Sequence, residues 1–179
     1  MFSFSLESFG ILLRKSLGGI KMNLYLKKQP FLWNSKYSVY DEKARKKMLV
    51  KGKTFFASKG FRILDTDEKE LISVQKKMYG AEPRFHISKN GIEAAVVQKD
   101  FSMFSHGYRV NGLGWRAEGR LFEHEFELRN GDIVIAKIAN QMFAGGNGYE
   151  IGFGPDVDEL MALSVILAVN TCIDSENNS

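Results

Sequence analysis

Among 179 residues there is a single cysteine, Cys172, and only three prolines. One thiol excludes an internal disulfide framework, and its place inside an apolar run marks it as a small core side chain in a reducing compartment. No linker or low-complexity stretch divides the chain, so one domain with a substantial core is expected. The longest apolar run, from Leu160 to Val169 with Ser164 as its only polar residue, is shorter than the roughly 20 residues a membrane-spanning helix needs. The first 21 residues carry Phe2, Phe4, Leu6, Phe9, Ile11, Leu12 and Leu13 but do not read as a signal peptide. No basic residue precedes the apolar part, Glu7 interrupts it, and no small-residue cleavage site follows. They are expected to form a loosely ordered extension ahead of a domain that starts at Met22. A membrane-surface helix with Arg14, Lys15 and Lys21 at the head groups is the sharper alternative.

What the chain does have is a helix with no polar side. Asp156 is the expected N-cap, with Glu159 reaching back as in a capping box. From Leu160 onward apolar side chains point in every direction at 100° per residue. A helix apolar all round and too short for a bilayer must be wrapped on every side by the rest of its own chain.

The wrapping is also written in the sequence. An aromatic, a polar residue and an aliphatic recur six times: Tyr37-Ser38-Val39, Phe61-Arg62-Ile63, Phe85-His86-Ile87, Tyr108-Arg109-Val110, Phe126-Glu127-Leu128 and Tyr149-Glu150-Ile151. The starts lie 24, 24, 23, 18 and 23 residues apart. Alternation with period two is the signature of a strand with one buried face, and regular recurrence implies a repeated hairpin unit. Turn residues follow most copies, and second strands are expected at 47–53, 70–77, 92–99, 115–121 and 133–139. With a first strand near 24–28, the count is about twelve strands and then one helix. A sheet of that size loses its edges by closing, and the resulting barrel is too wide for its own side chains to fill. The apolar helix supplies the filling. The fold class is therefore mainly β: a closed, roughly twelve-stranded antiparallel barrel around a central C-terminal helix. The outer members of each triplet are expected to face the helix and the polar middle member to face water.

Several of these segments carry a resemblance. Met22-Asn23-Leu24-Tyr25-Leu26-Lys27, Tyr37-Ser38-Val39-Tyr40-Asp41, Tyr108-Arg109-Val110-Asn111-Gly112-Leu113-Gly114-Trp115 and Asp158-Glu159-Leu160 with its apolar helix resemble the LURP-one-related proteins, which share the Tubby C-terminal-like fold. The resemblance covers about Met22 to Asp174. Residues 1–21 stand outside it as an extension, and 175–179 as a tail. It implies the same closed barrel around a helix. Tubby proteins and phospholipid scramblases are similar in fold and work at membranes, and Tubby domains bind phosphoinositides through exterior basic residues. Those residues do not transfer individually to positions in this chain. The motifs are specific to a fold rather than to a reaction.

Charge is unevenly divided. Residues 1–60 hold 13 Lys/Arg and 3 Asp/Glu, a net of +10, while residues 61–179 hold 12 and 18, a net of −6. The densest cluster is Lys43, Arg45, Lys46, Lys47, Lys51 and Lys53, with Lys47, Lys51 and Lys53 on one strand face. Such a cluster attracts polyanions, either anionic lipid or nucleic acid; the plain alternative is a solvated, aggregation-resistant edge.

No pattern carries catalytic chemistry. His86, His106 and His124 fall in separate repeat units, and none has the spacing of a helical zinc site. His86 reads as a solvated surface histidine. Glu123, Glu125 and Glu127 alternate on a strand as solvated carboxylates do. Gly145-Gly146-Asn147-Gly148 lies between strands and lacks the Lys-Ser/Thr pair of a phosphate loop, so it reads as a hairpin connection. Asp65-Thr66-Asp67-Glu68 opens like a calcium loop but lacks its later glycine and glutamate. A turn is expected there, with weak calcium binding as the alternative. The functional expectation is a non-enzymatic binding or scaffold domain without metal or cofactor. It would be cytoplasmic and peripheral at the membrane, contacting anionic phospholipid of the phosphoinositide kind through the basic cluster. A DNA-associated regulator is the alternative.

Overall fold

A computed structural model of the chain describes residues 22–28, 35–55, 58–101, 107–143 and 146–177. The expectations for residues 1–21, for His106, for Gly145 and for the last two residues fall outside this set.

The twelve strands are β1 (Met22–Lys28), β2 (Ser35–Tyr40), β3 (Lys46–Phe55), β4 (Ser58–Leu64), β5 (Glu70–Tyr79), β6 (Glu82–Lys89), β7 (Ile92–Asp100), β8 (Gly107–Asn111), β9 (Trp115–Arg120), β10 (Glu125–Asn130), β11 (Ile133–Phe143) and β12 (Gly146–Phe153). Each pairs antiparallel with its sequence neighbour, and β12 pairs with β1, so the sheet closes into a barrel. A short 3-10 turn, Leu121–Glu123, joins β9 to β10, and the chain ends in helix α1 (Glu159–Asn177). Closure satisfies the backbone groups that open edges would leave unpaired.

Helix α1 runs through the barrel. Asp158 at its start bonds Lys89 at the end of β6, while Asn170 bonds His124 beside the 3-10 turn at the opposite rim. Every residue from Met161 to Asn170 is buried, with Ala162, Leu163, Val165, Ile166, Ala168 and Val169 at 0 % exposure. The one polar side chain in the apolar run, Ser164, returns its hydroxyl to the Met161 carbonyl at 2.7 Å, so its hydrogen bond is made within the helix.

The triplets deliver the inner wall. Tyr37, Val39, Phe61, Ile63, Phe85, Ile87, Tyr108, Val110, Phe126, Leu128 and Ile151 are all buried in the core, and Tyr149 packs half-buried against it. The repeat has a geometric purpose that the pattern alone did not show. Directly after the aliphatic member, the register shifts between Val39 and Tyr40, Ile63 and Leu64, Ile87 and Ser88, and Leu128 and Arg129. In each case the returning strand carries one extra residue: Lys47, Leu71, Ala94 and Ile135. A bulge bends and twists a strand, and repeating it at one rim curls the sheet towards closure.

The turns at that rim also repeat. Asp41 Oδ1 accepts from the amides of Lys43 and Arg45, each at 2.9 Å, and Asp65 Oδ1 accepts from those of Asp67 and Lys69, each at 2.9 Å. Ala44 and Glu68 hold the left-handed position of each loop, at φ of 56° and 64°. Asp65 is thus a turn-former whose carboxylate is engaged by backbone amides.

Two sequence expectations need correction. The helix cap is Asp158, not Asp156: Asp158 Oδ1 accepts the Met161 amide at 3.0 Å. Asp156 has φ of 58°, a turn conformation and not the extended one an N-cap requires. The middle members of the triplets do not all meet water. Arg109 is exposed, and Arg62 and Glu127 are half-buried, but Ser38, His86 and Glu150 are buried. They lie on the outer face, where Tyr79 stacks on His86 and Tyr25 bonds to Glu150.

Leu163 tests the central helix. Leu163→Ala is expected to lose about 2–5 kcal/mol, because a fully enclosed site cannot collapse onto the gap. Leu163→Asp should abolish the cooperative thermal transition, since an unpaired buried carboxylate costs as much as the roughly 5–15 kcal/mol that holds a domain together. Calorimetry of both variants checks this.

Candidate functional site

The basic cluster gathers around the β2–β3 turn, residues 41–45, and the first residues of β3. Lys43, Arg45, Lys46 and Lys47 are all exposed there. Lys46 lies opposite Tyr40, and Lys47 is the bulged residue, so the register shift helps to display both at the rim. Arg45 is committed to Asp41, its Nε donating at 2.8 Å and its Nη2 lying 2.8 Å from the same carboxylate oxygen. The Arg45 and Lys43 amides and the Arg45 guanidinium hold the Asp41 carboxyl below its usual range. Lys51, higher on the same face, is 2.7 Å from Glu68 in the neighbouring turn. That hydrogen bond, with the charges of Lys51 and Lys46, holds Glu68 below its usual range. Lys53 is on β3, but its side chain lies outside the described set. The structure therefore brings four of the six cations to one rim and ties Arg45 and Lys51 to carboxylates. Lys43, Lys46 and Lys47 have no ion pair among the described residues.

His86 was expected in water but its side chain is only 10 % exposed. Its Nδ1 is 2.7 Å from Glu93, its Nε2 is 3.2 Å from the Tyr79 hydroxyl, and the Tyr79 ring stacks on it at 5.8 Å. The Arg84 guanidinium also stands over the Tyr79 ring, 4.4 Å from its centroid. This chain satisfies both imidazole nitrogens of a covered histidine on the barrel wall.

A second polar cluster closes the rim where α1 ends. His124 stands at φ of 55° after the 3-10 turn, with Nδ1 3.1 Å from Asn170 Oδ1 and Nε2 3.5 Å from Asp174. Its ring lies 5.8 Å from Tyr149, which lies 5.9 Å from Tyr37. Burial, then the neighbouring Tyr149 and Asp174, push the Tyr37 phenol far above its usual range. Burial and Asp174 raise Tyr149 as well, partly offset by the hydrogen bond from Tyr37.

On the outer face of β1, a third group surrounds a cavity of about 450 Å³ lined by Tyr25, Lys27, Tyr40, Phe143 and the turn residues Asp41, Glu42 and Ala44. Beneath Tyr25 lies Glu150, 2 % exposed, which accepts from Tyr25 Oη at 3.3 Å and from Asn23 Nδ2 at 3.2 Å. Glu42 accepts the Asn23 amide at 3.2 Å, anchoring the turn to β1. Sequence reasoning missed this site because its residues come from β1, the β2–β3 turn, β11 and β12. Only closure of the barrel makes them neighbours. Glycine was the one available signal: a Cβ on Gly148 would lie 2.0 Å from the Leu26 carbonyl oxygen and 2.6 Å from the Phe143 ring, so a side chain there would displace the cavity wall.

Among the described residues no helix is long and apolar enough to cross a membrane, and no group of three or more His, Cys, Asp and Glu is placed to hold a metal.

A closed twelve-stranded meander around a buried C-terminal helix defines the structural class. Within it the chain belongs to the LURP-one-related family, whose model matches residues 22–170. It is 22% identical over 157 residues to the uncharacterized protein YxjI of Bacillus subtilis strain 168, a match covering 88% of this chain and 97% of that one. Its fold is similar to the X-ray structure of an Arabidopsis thaliana protein, with a TM-score of 0.62 and 12% identity over 86% of this chain and 91% of that one. Family and barrel together mark a binding or scaffold domain.

The tyrosines at the α1 end predict alkaline sensitivity. Tyr37 keeps its proton in the fold beyond the 10.0 of a free phenol, so its contribution to stability is intact below that pH and is lost as pH rises above it. Urea unfolding should show stability falling by up to about 1.4 kcal/mol per pH unit from this one group. Tyr37→Phe should remove that part of the slope.

Proposed function

We propose that this domain is a non-enzymatic binding module that docks on anionic phospholipid through the β2–β3 rim, as a cytoplasmic protein peripheral to membranes. The observation that carries the reading is the grouping of Lys43, Lys46 and Lys47, exposed at one turn without ion pairs among the described residues. Clustered lysines lower their free energy near a negative surface by roughly 1 kcal/mol each. Arg45 and Lys51 contribute less, because Asp41 and Glu68 already offset them. The reading therefore relies on Lys43, Lys46 and Lys47 first among the six cations of the cluster. No step of catalysis is assigned to any residue.

Lys43→Glu, Lys46→Glu and Lys47→Glu combined should weaken binding to phosphoinositide-containing liposomes by about 100-fold or more at low salt, with the melting temperature little changed. Wild-type binding should fall as salt rises. Flotation with and without the substitutions checks this, beside a gel shift with duplex DNA. Unchanged flotation in the triple variant would remove this rim as the lipid contact. A gel shift without flotation would point to nucleic acid in place of lipid.

A further inference from the structure

The cavity beside β1 has the composition of a cation receptor. Three aromatic side chains wall it: Tyr25, Tyr40 directly opposite it on β2, and Phe143 edge-on to Tyr25 at 6.3 Å and 88°. Aromatic faces are electron-rich and attract organic cations, most strongly where water is excluded. Carboxylates also stand close to it: Glu42 lines the wall, and Glu150 accepts from the hydroxyl of Tyr25, with Lys27 also among the described lining residues. Negative charge reaches the site: after burial, Glu150 is the largest influence raising the Tyr25 phenol, and Glu42 adds to it. Asn23, also buried, brings a further acceptor beside Glu150, its Oδ1 having no hydrogen-bond partner among the described residues. The volume of about 450 Å³ is that of a small-molecule site. Glycine at 148 keeps the space that a side chain would take, allowing Phe143 to lie across β12.

We propose that this cavity binds a small organic ammonium group, held between the rings of Tyr25, Tyr40 and Phe143 beside the carboxylate of Glu42, with the charge of Glu150 acting from behind Tyr25. A quaternary ammonium suits the aromatic walls, and a primary one would also donate hydrogen bonds to the Glu42 carboxylate. The group could belong to a free amine or to a zwitterionic lipid headgroup. This site is distinct from the lysine rim and attracts charge of the opposite sign, so the two proposals stand or fall separately.

The test uses the full chain. Choline, n-butylammonium and neohexyl alcohol, the uncharged carbon isostere of choline, are titrated by calorimetry with amide chemical-shift mapping. At least one cation is expected to bind saturably in the millimolar range, shifting amides around Tyr25, Tyr40 and residues 41–44, with the alcohol about tenfold weaker or more. Tyr40→Leu and Glu150→Gln should each weaken the cation by about tenfold while leaving the alcohol unchanged. If Glu150→Gln does not fold, Tyr40→Leu together with Glu42→Gln carries the same test. Phosphatidylcholine vesicles form the second arm. Vesicle binding lost in Tyr40→Leu assigns a lipid headgroup, and binding of soluble cations alone assigns a free amine. The proposal is overturned if neither cation saturates, if the alcohol binds as well as the cations, or if Tyr40→Leu retains wild-type affinity.

Discussion

A helix with no polar face has no stable place at a protein surface, and the rest of this structure follows from that constraint. Helix α1 must lose water on all sides, and a closed barrel is the arrangement that surrounds a helix completely. A twelve-stranded barrel in turn needs something to fill it. Neither part is complete alone. In the barrel's inner wall the outer members of the triplets join residues such as Leu26, Val74 and Val97, and all of them share one core with α1. Small residues along the helix, Ala162, Ser164 and Ala168, sit fully buried beside the larger Leu163, Ile166 and Leu167, giving the interdigitation a dense core requires.

With the interior committed to packing, function is left to the outer wall and the rims. The wall is not uniformly solvated. Glu150, His86 and Ser38 are buried on it. Glu150 with Asn23 and Tyr25, and His86 with Tyr79 and Glu93, are polar groups removed from water but hydrogen-bonded, which limits the penalty of burial. The β2–β3 turn connects two of the candidate surfaces. One side presents Lys43 with Lys46 and Lys47 following, and the other presents Glu42 and Ala44 to the aromatic cavity.

The architecture was legible because it rests on local periodicity. Triplets such as Phe61-Arg62-Ile63 state which side chains face inward, and the Leu160–Val169 run states what they face. The cap was misread because Asp156 and Asp158 both have capping side chains and only backbone conformation separates them. Asp156 occupies the left-handed turn, and Asp158 meets the Met161 amide. The solvation of His86 was misread for a different reason. Alternation tells which face a residue is on but not whether Tyr79 and Glu93, each seven residues away, will fold over it. The lysine cluster was visible as composition, but its partial neutralisation by Asp41 and Glu68 required the turns to be placed side by side. The aromatic cavity was not readable at all, since it joins β1 to β12, the pairing with the greatest sequence separation in the sheet.

Native-state hydrogen exchange of the α1 amides tests the central claim most directly. If α1 is enclosed by a closed barrel, its amides from Met161 to Ile173 can reach solvent only when the barrel opens. Their opening free energies should then equal the global unfolding free energy and match those of the core amides in β6 and β7. Exchange of the helix through a lower-energy opening, with the strands still protected, would contradict a fold in which helix and barrel depend on each other.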